Sequence, residues 1–150
     1  MNKELEVLSL DIASLTGWAL SPTVYGTWDF KTLKDESMGM KLIRFNYKLK
    51  EFHKMNPLDI IIYERPAGKH ANSIIHQAKL IAVLESFCES NSIDYRAFSA
   101  SEIKKFATGK GNCGKAEMIK AAKEKYGYQG SDDNEADAIH MRELFRYQLE

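Results

Sequence analysis

The sequence predicts a single α/β domain, a mixed five-stranded sheet flanked by helices, on three observations. Short segments rich in aromatic and β-branched residues open the chain, separated by turn residues. A nearly continuous apolar run, LDIIIYE, follows a stretch with helical spacing, and the second half is helical in periodicity but broken by glycines. At 150 residues and 44% apolar content the chain can bury one core, and no shift in composition divides it.

Taken in order, Glu6 to Ile12 (EVLSLDI) alternates Val7, Ser9 and Asp11 against Leu8, Leu10 and Ile12, the pattern of a strand whose polar face ends in a carboxylate. Thr16 to Leu20 and Tyr25 to Thr32 follow at short intervals, so three antiparallel strands are the economical reading. From Ser37 to Lys54, Met40, Ile43, Tyr47 and Phe52 mark a moderately amphipathic helix that Asn56 and Pro57 stop. Leu58 to Glu64 is a central strand parallel to the first, with a glutamate emerging at its carboxyl end. The helix from Ala71 to Glu89 carries apolar residues on more than one stripe, enough for a core, a dimer contact, or both. Ser92 to Phe98 alternates as a strand, and Ser99 with Glu102 forms a capping box for a helix to Phe106. A glycine-broken loop (108–114), a lysine-rich helix from Lys115 to Tyr126, a second break at Gly127 to Gly130 and a helix from Asp133 to Gln148 complete the chain.

The formal charge is zero, so a polyanionic partner requires positive charge concentrated locally. Cys88 and Cys113 fit neither a zinc pattern nor a disulfide framework, which points to a reducing compartment. Met1 to Leu10 has neither the apolar core nor the cleavage site of a signal peptide, and no membrane span is expected; the expected location is the cytoplasm.

The acidic residues fall where chemistry would need them. Asp11 lies in the first strand, Glu64 ends the strand after the crossover helix, and Asp137 sits in the last helix between Ala136 and Ala138, whose small side chains permit close approach to a sheet. If the strands are adjacent and the helix crosses their ends, three carboxylates converge and their mutual repulsion calls for a cation. Oxygen ligands of this kind suit Mg²⁺, or Mn²⁺ in its place, rather than zinc. Asp133 and Asn134 precede Asp137 by four and three residues and share its helical face. Either can be a further ligand: Asp133 brings the charge a two-metal site favours, Asn134 only a carbonyl oxygen. Asp132 and Asp133 also suit a helix cap. His140 reads as a packed helix residue, and Trp18, Trp28 and Phe30 as core.

The loop Gly109 to Lys115 spells GxxxxGK, yet Ala116 lacks the hydroxyl of a nucleotide-binding loop and the preceding segment reads as helix, so no nucleotide cofactor is expected. Backbone amides and lysines meeting a phosphate chain are a better use of it. Lys104, Lys105, Lys110 and Lys115 begin a basic stretch that extends through Lys120, Lys123 and Lys125, and Arg65, Lys69 and His70 directly follow Glu64.

Four segments together resemble the RuvC family of Holliday junction resolvases, particularly the small versions encoded by bacteriophages: LSLDIASLTGWAL, IIIYERP, SASEIKKFATGKGNCGKAEMIKAA and DNEADAIHM. The resemblance implies a ribonuclease H-like fold and a homodimer that nicks two opposed strands of four-way DNA, leaving 5′ phosphate and 3′ hydroxyl ends. It implies Asp11, Glu64 and Asp137 as the catalytic carboxylates, Asp11 bridging two Mg²⁺ ions about 4 Å apart, and Lys115 as a phosphate contact. Where the family usually has Asp or His three residues before the last aspartate, this chain has Asn134, which leaves the fourth position open between Asp133 and Asn134. Ala13 and Ser14 stand where the family often has a glycine. The helix from Ala71 to Glu89 is the implied dimer element, and a phage-encoded protein would work in its bacterial host's cytoplasm. Three other readings compete: a ribonuclease H-like nuclease acting on RNA–DNA hybrids or flaps, a catalytically silent junction-binding module, and an actin-like nucleotide-binding domain, for which 150 residues is short.

Overall fold

The three opening segments form a meander. In the computed structural model, which describes residues 4–68 and 70–150, β1 (Val7–Asp11), β2 (Leu15–Ser21) and β3 (Val24–Asp29) pair antiparallel in sequence order. Helix α1 (Met38–Met55) then crosses to β4 (Ile60–Glu64), which lies parallel to β1, and α2 (Ala71–Ser90) crosses to β5 (Asp94–Phe98), parallel to β4. The five-stranded sheet has the order β3-β2-β1-β4-β5. Helices α3 (Ala100–Thr108), α4 (Lys115–Tyr126) and α5 (Asp133–Leu149) complete the chain.

Two helical layers explain why β1 is buried at every position instead of on one face. Leu8 and Leu10 of β1 and Ile61 and Tyr63 of β4 pack against Phe45 and Leu49 of α1 and Leu80 and Leu84 of α2. On the opposite face Val7, Ile60 and Ile62 meet Ile103 of α3, Met118 of α4 and Met141 and Phe145 of α5. Truncating one of these fully buried large side chains to alanine is expected to cost about 2–5 kcal/mol. Trp28 and Phe30 are core residues, and Trp18 stacks on Trp28 with its ring edge toward Phe52.

The element ends follow local chemistry. Strand β3 stops at Asp29, earlier than the aromatic pattern suggests, because Arg44 takes the carbonyls of Phe30 and Lys31 out of the ladder. Strand β5 starts at Asp94 rather than Ser92, since Ser92 turns with φ at 55°. The Ser99–Glu102 capping box is present, and α3 runs on to Thr108, where Gly109 closes it in the left-handed region.

Candidate active site

The β1–β4 register brings the first two carboxylates together. Ser9 pairs with Ile62 and Leu10 with Tyr63, so the next step sets Asp11 beside Glu64, both on the face that α5 covers. Helix α5 packs against β1 and β2, with Ala136 and Ala138 fully buried, and carries Asp137 toward the strand ends.

A residue that pattern reading passed over makes this approach possible. Gly17 in β2 faces the first turn of α5, where a Cβ would overlap the Asn134 carbonyl group. A glycine inside a strand is itself a signal of close backbone approach, and it stood in the motif TGWAL. The N-terminus of α5 is pinned further. Asp132 caps the helix by accepting from the backbone N–H of Asn134 and Glu135, and Tyr128 and Thr27 both donate to Glu135.

The electrostatics are those of crowded like charges. Asp11 is almost fully buried, and its carboxyl is raised well above the ordinary range by burial first, then by Asp137, Glu64 and Asp133. Burial and the charges of Glu64 and Asp133 push Asp137 up to about 7. Glu64 is raised by burial, while Lys104 opposes the rise at both Glu64 and Asp137. The Asp11 and Asp137 carboxyls lie within hydrogen-bonding reach of each other, and two ionised acceptors need a shared proton or a cation between them. Asp137 Oδ1 is buried with no partner.

This donor set, all carboxylate oxygen with one orphaned buried atom, fits a hard divalent cation. Among the described residues no three acidic, histidine or cysteine side chains stand at the spacing of a completed metal shell.

The remaining predicted residues divide clearly. Asp133 acts on both Asp11 and Asp137, whereas the Asn134 amide donates to the Leu15 carbonyl and ties α5 to the β1–β2 turn. Lys115 opens α4 with its ammonium 3.8 Å from Asp133 Oδ2. Lys104 reaches the cluster electrostatically, and Lys105 is exposed. Lys110 is an exposed loop residue, and exposed Arg65 lies near Glu102. Lys69 lies outside the described residues. The loop from Gly109 to Gly114 joins two helices, so it lacks the preceding strand of a nucleotide-binding loop. His140 is packed away from the cluster, with Nε2 bonded to the Met118 carbonyl and its ring against Tyr126.

Neither a family model nor a curated protein sequence matches the chain. Solved structures do. Thermus thermophilus RuvC in complex with a Holliday junction substrate superposes with a TM-score of 0.77 at 13% identity, over 97% of this chain and 95% of that one. The chain has the RuvC fold. A second Thermus thermophilus RuvC structure gives a TM-score of 0.75 at 14% identity, covering 95% and 94% of the two chains. The yeast mitochondrial Holliday junction resolvase Ydc2 gives 0.59 at 12% identity over 97% of this chain and 82% of that one. The RuvC fold agrees with the expected ribonuclease H-like architecture of a mixed five-stranded sheet flanked by helices. At such low identity these matches speak to the arrangement of elements and leave the chemistry to the residues.

Proposed function

We propose that this chain is a Mg²⁺-dependent DNA endonuclease that resolves four-way junctions by paired nicks. The observation that carries the reading is the convergence of Asp11, Glu64 and Asp137, with Asp133 beside them, at the strand ends of a RuvC fold. A matched RuvC structure holds a Holliday junction, which supports branched DNA as the substrate.

In this reading Asp11, Glu64, Asp133 and Asp137 hold the cations, and Mn²⁺ can replace Mg²⁺. Bound there, two divalent ions would neutralise the carboxylates, acidify the attacking water and offset charge on the leaving 3′ oxygen. The protein's own part is positional. Gly17 and the Asp132 cap fix α5, and Lys104 and Lys115 set positive charge at the rim, where a phosphate chain approaches the acidic cluster. Arg65, Lys105 and Lys110 are proposed to contact DNA further out, and Lys69 is proposed as a DNA contact from its place in the sequence.

Two cuts on opposed strands require two sites, hence a homodimer. Support comes from exposed Met40, Ile43 and Tyr47 on α1 and exposed Ile75 on α2, and from a groove between the two helices in which Leu42, Ile43, Ala82 and Val83 alternate with Asn46, Lys79 and Ser86. The apolar face thus extends onto α1, beyond the α2 helix that the sequence pointed to.

The test is nicking of an end-labelled four-way junction in Mg²⁺ by wild type, Asp11→Asn, Glu64→Gln and Asp137→Asn, with binding followed in Ca²⁺. Paired symmetric nicks lost in each variant while binding persists are the expected result. Variants that cut like wild type would overturn the carboxylate centre. Binding without nicking in either metal would favour a silent module, and equal cleavage of linear RNA–DNA hybrids would favour a ribonuclease.

A further inference from the structure

Beyond the β1–β2 turn from the carboxylates, the protein buries a charge of the opposite sign. Lys41, in the first turn of α1, is only 3% exposed. Lysine is rarely buried unless paired, and this one has a neutral partner: its ammonium donates to Ser14 Oγ at 2.6 Å. The two acids that act on it from a distance are engaged elsewhere. Glu36 forms an ion pair with Arg44 at 2.6 Å, and Asp29 accepts from the Lys31 backbone N–H at 2.9 Å. Among the described residues no carboxylate pairs with Lys41. An ammonium has three donors, and Ser14 uses one.

The lysine lines an open pocket of about 670 Å³, a volume that admits a small ligand. Lys31 shares its wall, no Asp or Glu lines it, and Asn72 and Ser73 bring the first turn of α2 to it. No side chain caps that helix, so its N–H groups and positive dipole end are available there. His76 Nε2 and Gln77 Oε1, on two further residues of the lining, are buried without a protein partner. The Lys41 and Lys31 ammonium groups and the Ser14 hydroxyl suit an anion that accepts hydrogen bonds, whereas the Gln77 oxygen, itself an acceptor, does not contact it.

We propose that this pocket binds a backbone phosphate of the DNA strand, with the Lys41 ammonium as its counter-charge and the Ser14 hydroxyl as a second contact. The proposal rests on the reading of the chain as a DNA nuclease and adds a second anchoring point for the cut strand. Ser14 follows Asp11 by three residues, and Asn134, next to Asp133, lines the pocket from the α5 side. Two of the pocket's lining residues thus neighbour acidic-cluster residues in the chain, and in this proposal the phosphate held is close to the cleaved one without being it. A phosphate seated there completes the lysine's donors and holds the register of the strand over the acids.

The decisive experiment walks single methylphosphonate linkages along a four-way junction on both sides of the cleaved position, with binding measured in Ca²⁺ for wild type, Lys41→Met and Lys41→Arg. One linkage should weaken wild type about tenfold and leave Lys41→Met unaffected, and Lys41→Met should bind about tenfold less tightly than wild type, with a salt slope shallower by about one. Lys41→Arg should retain the position effect. If every linkage weakens Lys41→Met as much as wild type, the lysine is structural and the proposal fails. Ser14→Ala, which leaves Lys41 in place, should weaken binding at the same linkage; an unchanged profile would also count against the pocket. A second arm needs no junction: pentathymidylate titrated into protein with ¹⁵N-labelled lysine should shift the Lys41 Nζ resonance. No shift overturns the pocket while leaving junction cleavage to stand on its own assay. A shift in a protein that neither binds nor nicks junctions overturns the junction reading and leaves the phosphate pocket standing.

Discussion

Toward α5, the end of β1 meets carboxylates; beyond the β1–β2 turn, toward α1 and α2, it meets an ammonium. On the first side burial, reinforced by neighbouring carboxylate charge, raises the carboxyls of Asp11 and Asp137. On the second, Lys41 is desolvated beside a single hydroxyl, which lowers its pKa. Removing an ion from water costs several kcal/mol unless a partner of opposite sign restores it. Each side thus withholds stability that a ligand would return, a cation in one case and a phosphate in the other. They differ in construction. The acidic side draws residues from β1, β4 and α5 and depends on where backbones sit, whereas the basic side depends chiefly on one side chain.

The largest effect should come from Asp11→Asn. Nicking in Mg²⁺ should fall by about three orders of magnitude, the scale lost with one transition-state-stabilising group, while metal-free melting temperature does not fall, because a like charge has been removed. A variant that melted well below wild type without metal would mean that the carboxylate is structural, and the comparison would break. Gly17→Ala comes next. Its Cβ forces α5 away from β2, at a cost of about 1–3 kcal/mol in denaturant unfolding, and single-turnover nicking should drop more than stability does because Asp133 and Asp137 move with the helix.

Asp133→Asn against Asn134→Ala sharpens the acidic side. The first should lose about a hundredfold or more in nicking, the second about tenfold, as befits a residue that orients its neighbours through the Leu15 carbonyl.

The pH dependence has a definite sign. Asp137 at about 7 and the raised Asp11 bind protons more tightly folded than unfolded. Their stabilising contribution is complete below about pH 4, the unfolded carboxylate range, and is lost as pH rises through about 7. Metal-free melting temperature should therefore decline across that window, and the rise produced by Mg²⁺ should be larger at about pH 8 than at about pH 5.5. A Mg²⁺ effect independent of pH would remove the cluster from metal binding.

Smallest is the contrast between two adjacent lysines. Lys104→Ala removes the cation that opposes protonation of Glu64 and Asp137, so the acidic limb of the pH–rate profile should move to higher pH. Lys105→Ala should leave that limb in place and change only affinity, by about twofold in a binding titration.

Much of the acidic side was legible in the sequence because strand and helix periodicity place residues on faces. The alternation in EVLSLDI set Asp11 on one face, the apolar run to Glu64 marked a central strand, and the small residues around Asp137 marked a helix that packs closely. Gly17 was legible in principle, as a glycine within a strand. The choice between Asp133 and Asn134 was not, since both occupy one helical face; the structure adds that the Asn134 amide N–H donates to the Leu15 carbonyl, a partner distant in sequence.

What the sequence by itself determined is the order and kind of elements and the carboxylates at their ends, since hydrophobic period and turn chemistry are local properties. Only the tertiary structure decided which lysine is buried. Lys41 shares the helical stripe of buried Phe45 and Leu49, yet its residue type argues for exposure, like that of the other lysines near it in the chain. The packing of α1 and α2 against the β1–β2 turn takes that one ammonium out of water and leaves the others solvated, because burial depends on which elements meet in space.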